Sequence, residues 1–115
     1  MAIEKTDVVD AVGIETSTGD VVLTIADHLD WERSETQHLQ MLKEKLNAYL
    51  RFIDSGELLQ TYPAAEGRRP VISLVGRCAP SAAALRFLAG ARQNIEAAGF
   101  GFRFQQYEGD STEVV

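Results

Sequence analysis

The sequence has few of the residues that form disulfide bonds or catalytic sites in small proteins. It contains one cysteine, Cys78, in 115 residues, so no intramolecular disulfide can form, as expected in a reducing cytoplasm. It has two histidines, His28 and His38. It also lacks the G-x-S-x-G, G-x-x-x-x-G-K-[ST] and G-x-G-x-x-G motifs of nucleophile elbows, phosphate loops and dinucleotide loops. We therefore expect no cofactor.

Long hydrophobic runs and an excess of positive charge are also missing. No apolar stretch approaches the ~20 residues that a membrane helix needs, and residues 1–5 lack the apolar core of a secretory signal. The formal net charge is −6, which the phosphate backbone of nucleic acids repels. A composition of 45% hydrophobic and 24% charged residues is typical of one globular domain. We expect a cytoplasmic protein whose partners include neither membranes nor nucleic acids.

The charge is unevenly distributed along the chain. Residues 1–57 carry twelve acidic and five basic side chains, whereas residues 58–107 carry two acidic and six basic ones. Three interpretations stay open: ordinary solvated surface, acidic and arginine-rich faces that meet in an assembly, or an anion pocket. The six basic residues of the second part are all arginines: Arg68, Arg69, Arg77, Arg86, Arg92 and Arg103.

The hydrophobic pattern predicts the element order β-β-α-β-α-β. Two β-branched runs, residues 8–15 and 21–26, flank Gly19 and form a hairpin. The stretches "PVISLVG" and "FGFRFQQY" are the third and fourth strands, and the intervening helices end near Gly56 and Gly99.

This order predicts the fold class. Each helix is long enough to return the chain, so the last three strands run parallel and the first is antiparallel to the second. We predict an α+β two-layer sandwich, in which two helices cover one face of a four-stranded mixed sheet. The single domain spans residues 1–107, and residues 108–115 form a flexible tail.

The first helix carries two separate apolar stripes. One is the predicted core face, formed by Leu39, Leu42, Leu46, Tyr49, Leu50 and Ile53. The second stripe, Met41, Ala48 and Phe52, needs another cover, either residues 57–63 or a second chain. The sheet face without helices also shows apolar residues such as Val71 and Val75. A homodimer is the simplest way to cover these surfaces.

The stretch "IADHLDWERSETQ" concentrates ionisable side chains where the second strand precedes the first helix. Asp27, His28, Asp30 and Glu32, with His38 from the helix, are candidate ligands of a divalent metal. Their spacing matches no established metal motif. The structural interpretation is that Asp27, Asp30 and Ser34 accept hydrogen bonds from amides of the turn, with Ser34 and Gln37 as a capping box. In this interpretation Leu29 and Trp31 anchor the turn in the core. A third interpretation is a partner-binding edge that uses Trp31.

The stretch "VGRCAPSAAAL" is the second candidate site. A strand ends near Cys78 and a helix begins near Pro80 or Ser81, so Arg77, Ser81 and the helix start could bind an anion or activate the thiol. The C-x5-R spacing of cysteine-dependent phosphatases is not met, because Ala84 stands six residues after Cys78. Cys78-Ala79-Pro80-Ser81 is similar to the C-x-x-S redox motif, although the element order differs from that of thioredoxin-like proteins. The structural interpretation is that Cys78 is a small, half-buried residue closing a strand.

The hairpin followed by "LTIADHLDW" and "LKEKLNAYLRFIDSGEL" resembles a family of short bacterial single-domain proteins of unknown function. The resemblance covers roughly residues 3–62. It implies a bacterial, cytoplasmic, single-domain protein and contributes nothing to mechanism.

The sequence thus favours a non-enzymatic protein-binding or interaction module. One specific form is an immunity-type or regulatory protein that masks a basic partner with its acidic half. The candidate interaction residues are Trp31, Met41, Ala48 and Phe52. The alternative is a small enzyme or ligand-binding protein that uses Asp27, His28 and His38, or the turn from Cys78 to Ser81.

Overall fold

The chain forms a four-stranded sheet with two long helices and one short helix. The computed structural model describes residues 11–29, 31 and 34–106. The described elements are, in chain order, β1 (Ala11–Ile14), β2 (Val21–Asp27), α1 (Glu35–Asp54), α2 (Glu57–Thr61), a 3-10 turn (Pro63–Ala65), β3 (Pro70–Gly76), α3 (Ala82–Ala97) and β4 (Gly101–Gln106). Residues 8–10 and 107, predicted as strand, and the predicted tail 108–115 lie outside the described residues.

The sheet topology confirms the predicted α+β fold class. The strand order is β1-β2-β3-β4, with β1 antiparallel to β2 and both other pairs parallel. The two crossovers, through α1 and through α3, step in the same direction along the sheet. Because such crossovers are right-handed, both helices lie on the same face.

Side chains along β2 alternate between buried and half-buried, which identifies the face of the sheet that the helices cover. Val21, Leu23 and Ile25 are completely buried, whereas Val22 and Thr24 are half-buried. The buried residues of β2 pair in register with Ile72 and Leu74 of β3, and these two residues pair in register with β4. One continuous apolar surface therefore crosses the three parallel strands. Residues from α1 and α3 complete this core: Leu42, Leu46, Tyr49, Ala84, Leu88 and Ile95.

The two apolar stripes of α1 belong to one broad buried face. Met41 and Phe52, from the second stripe, are partly buried and pack against the same core as the first stripe. On a helical wheel of 100° per residue, His38 and Lys45 fall between the two stripes, and both are at most 1% exposed. These two polar residues divide the apolar pattern of the α1 sequence into two stripes, although the folded helix has one continuous buried face. The homodimer stays a prediction, because the structure holds a single chain.

The helix ends follow local sequence signals, with one exception. Gly19, Gly56 and Gly99 adopt positive φ of 82°, 87° and 94°, the conformation expected at the hairpin turn and at the two helix ends. Ser81 precedes α3, and its hydroxyl accepts a hydrogen bond from the amide of Ala84 at 3.1 Å. Ser34, by contrast, makes no side-chain cap bond at the start of α1, so the capping-box prediction is wrong.

The second face of the sheet carries small apolar and polar side chains and one ion pair. Arg103 of β4 lies 3.2 Å from the carboxylate of Glu15 and donates to the hydroxyl of Ser73 at 3.4 Å. Val71 is 6% exposed and Val75 is half-buried. This pair connects the acidic first half of the sequence to the arginine-rich second half within one chain.

Candidate functional site

A buried pair of ionisable side chains, one at the end of β2 and one in α1, links the sheet to the first helix. Asp27 is the last residue of β2, and its Oδ2 lies 2.6 Å from Nε2 of His38 in a hydrogen bond. The side chains are 3% and 1% exposed. The other carboxylate oxygen, Oδ1, accepts the amide hydrogen of Leu29 at 3.1 Å. Asp27 therefore serves the turn, as the structural interpretation predicts, and also fixes α1 through His38.

An aromatic ring covers the same pair. Trp31 is 5% exposed and its ring stacks on His38 with 3.5 Å between ring centroids and 11° between planes. An indole packed in this way excludes water from one side of the imidazole. Trp31, predicted as a possible edge for a partner, thus lies in the protein interior. A substrate in solvent would not reach His38 without displacement of this ring.

The remaining residues proposed as metal ligands do not join this pair within the part of the chain that the structure describes. His28 is exposed, while Asp30 and Glu32 lie outside the described residues. Among the described residues there is no group of three or more His, Cys, Asp or Glu side chains placed to hold a metal ion. Of the described candidates, Asp27 and His38 come together.

The second sequence-predicted site follows β3 at the same end of the sheet. The amide of Arg77 donates to the carbonyl of Asp27 at 2.8 Å, and the Arg77 side chain is exposed. Cys78 is a free, half-buried thiol that packs against the core. The Ser81 hydroxyl is used as the cap of α3. Each of these three residues therefore has a structural role in the connection between β3 and α3.

A surface groove lies between α1 and α3. Its volume is about 310 Å³, at the lower end of the range for ligand pockets. Leu46 and Ile95 are buried at its base, and Leu50 and Phe87 are half-buried. The full lining consists of Lys43, Leu46, Asn47, Leu50, Arg86, Phe87, Gly90, Ala91, Asn94 and Ile95.

The composition of the two helices accounts for this groove. Gly90 and Ala91 occupy the centre of the α3 side, where short side chains leave space that larger ones would fill. A Cβ added at Gly90 would meet no atom within 4 Å. The short side chains at these two positions therefore leave open space beside α3 over apolar side chains of the lining.

The rim of the groove is cationic and polar. Lys43 and Arg86 are exposed, and so are the amide side chains Asn47 and Asn94. Among the residues that the structure describes, no acidic one belongs to the lining. The local formal charge of the lining is thus positive, although the chain as a whole has a net charge of −6.

Most groove residues were not identified as functional from the sequence. Among the charged and polar residues of the rim, only Arg86 is a candidate from the sequence, as one of the six arginines for which an anion pocket is one of three interpretations. Met41, Ala48 and Phe52, the predicted interaction residues of α1, are half-buried and are not part of the groove. The available signal was the pair of small residues at positions 90 and 91 within an otherwise amphipathic helix.

The fold and the groove define a small two-layer α+β protein with an apolar, cation-rimmed surface site between its helices. The chain belongs to a family of unknown function (DUF6572), whose model matches residues 1–108. No curated protein and no solved structure matches the chain. No helix among the described residues is long and apolar enough to cross a membrane.

Proposed function

We propose that this protein is a non-enzymatic protein-binding module and that its docking site is the groove between α1 and α3. The observation that carries the proposal is the combination of an apolar floor, with Leu50 and Phe87 half-buried, and a rim of exposed hydrogen-bond donors. Specific interfaces combine an apolar centre with a polar rim in this way. A helix laid into a groove between two helices is an established mode of peptide recognition.

The buried pair of Asp27 and His38 supports a binding module over an enzyme. A general base must reach the proton that it abstracts, whereas His38 is 1% exposed and is covered by Trp31. Burial of both side chains is compatible with a structural role in holding α1 on the sheet. The exposed cationic groups of the groove, Lys43 and Arg86, are hydrogen-bond donors suited to ion pairing with a partner.

The positive charge of the groove argues against the immunity-type function that the sequence suggests, in which the protein masks a basic partner. An immunity-type protein that masks a basic partner would need carboxylates at its docking surface, and the described part of the groove lining has none. A bacterial, cytoplasmic setting remains part of the proposal. It is supported by the single cysteine and by the resemblance of residues 3–62 to short bacterial proteins.

Filling the groove tests the proposal. Gly90→Trp places an indole between the helices, and Ala89→Trp is the matched control, because Ala89 is an exposed neighbour on α3 that does not line the groove. Proteins retained from native cells by each immobilised variant are identified, then purified and titrated by calorimetry. We expect a partner that binds the wild type and Ala89→Trp equally, and Gly90→Trp at least about tenfold more weakly, a difference of about 1.4 kcal/mol.

Two results would overturn this assignment. In one, no retained protein discriminates between the two tryptophan variants. In the other, sedimentation velocity shows a wild-type dimer that Gly90→Trp converts to a monomer, which would assign the groove to a second copy of the chain. A dimer that persists in Gly90→Trp would confirm the predicted homodimer at another surface and leave the groove for a partner.

A further inference from the structure

The two cations of the groove lie at the same end of it. Lys43 and Arg86 are the first residues that α1 and α3, respectively, contribute to the lining. Both helices connect consecutive parallel strands, so both run opposite to the strands and parallel to each other. The start of the groove is therefore cationic, and its later part is lined by the amides of Asn47 and Asn94 together with apolar side chains.

Neither cation is neutralised by a carboxylate of the described chain. The described salt bridges pair Arg92 with Glu96 and Arg103 with Glu15, besides the buried pair at His38. Glu44, the acidic residue next to Lys43 in sequence, accepts a hydrogen bond from Gln40 at 2.9 Å. The positive potential at this end of the groove is thus available to a ligand.

The size of the groove fits a short helical segment. On α1 the lining runs from Lys43 to Leu50, which corresponds to roughly 10 Å, or two helical turns, at 1.5 Å per residue. A partner helix that presents apolar residues at positions i, i+3 and i+7 would place them over Leu46, Leu50 and Phe87.

From these features we infer that the partner segment is an amphipathic helix with acidic side chains at one end of its apolar stripe, which pair with Lys43 and Arg86. The inference rests on the proposed function and adds the sign and position of the partner's charge. It is the opposite of what the net charge of −6 suggests, because recognition depends on the charges that line the contact and steer the encounter. Arginine is suited to bidentate pairing with a carboxylate.

The probes are three synthetic 14-residue helical peptides with leucine at positions i, i+3 and i+7. They differ only at the two flanking positions, which are glutamate, glutamine or lysine. Each is titrated into the 15N-labelled full chain, and the affinity and the shifted amides are read by NMR. We expect the glutamate peptide to shift groove amides and to bind about fivefold more tightly than the glutamine peptide, with the lysine peptide weakest.

Two double variants separate local pairing from the overall field of the protein. Lys43→Gln with Arg86→Gln is expected to abolish the preference for glutamate. Arg51→Gln with Arg77→Gln changes the net charge by the same amount at exposed residues outside the groove, and is expected to keep it.

The possible failures are distinguishable. Peptides that bind the groove with no preference for glutamate, or with a preference that both double variants reduce equally, would overturn the charge inference and leave the proposed docking site standing. If none of the three peptides shifts groove amides, the docking site itself is overturned, and the charge inference fails with it.

Discussion

His38, in the first turns of α1, is hydrogen-bonded to Asp27, at the end of β2, with 2.6 Å between Nε2 and Oδ2. The two residues are separated by 11 positions in sequence, and the Trp31 ring between them in the chain stacks on the imidazole. Asp27, Trp31 and His38 thereby form one buried cluster between the sheet and α1. The stretch that most resembles an active site in sequence acts as a link between the two layers of the fold.

Removal of the Asp27 carboxylate should destabilise the protein. Asp27→Ala deletes the acceptor of both the His38 ring and the Leu29 amide, and a buried polar group that loses its partner carries a desolvation cost. We expect the free energy of unfolding, measured by urea denaturation, to fall by about 2–4 kcal/mol. The control His28→Ala alters an exposed neighbour and should change stability by less than about 0.5 kcal/mol. Equal effects of the two substitutions would contradict a structural role for the pair.

The two serines that precede the long helices should differ in their contribution to stability. Ser81→Ala removes a hydroxyl that accepts the Ala84 amide hydrogen, and loss of such a cap costs about 1 kcal/mol. Ser34→Ala removes a hydroxyl that makes no cap bond, so the cost should be a few tenths of a kcal/mol. Thermal unfolding of both variants under identical conditions gives the comparison. A larger loss for Ser34→Ala would mean that α1 is capped by its serine side chain after all.

Two strand glycines should respond to alanine with opposite signs. At Gly76 an added Cβ would lie 3.0 Å from the Phe104 ring, so the ring must move, and we expect a loss of about 1–3 kcal/mol. At Gly13 nothing lies within 4 Å of the added Cβ and φ is not positive. Gly13→Ala should therefore be neutral or stabilise by about 0.5 kcal/mol through reduced backbone entropy in the unfolded chain. Equilibrium unfolding decides, and a stabilised Gly76→Ala would refute the close approach of Phe104.

The order of elements and their ends could be predicted from the sequence because both depend on local patterns. The alternation along Val21–Asp27 and the apolar period of the α3 segment specify strand and helix, and the glycines at positions 56 and 99 stop the two long helices. Right-handed crossovers then leave few arrangements for two helices and three parallel strands. These rules predict a four-stranded mixed sheet with two long helices on one face, but the strand order β1-β2-β3-β4, on which the shared face depends, came from the tertiary structure.

Tertiary structure alone decided which polar residues are buried and where the surface remains open. His38 and Lys45 interrupt the apolar pattern of α1, yet both lie in its buried arc, because burial depends on how a helix is rotated against the sheet and not only on its own composition. The groove likewise arises between α1 and α3, from residues more than 35 positions apart in the chain. Local periodicity cannot specify a gap whose two walls belong to different helices, since its width is set by how both pack on the sheet.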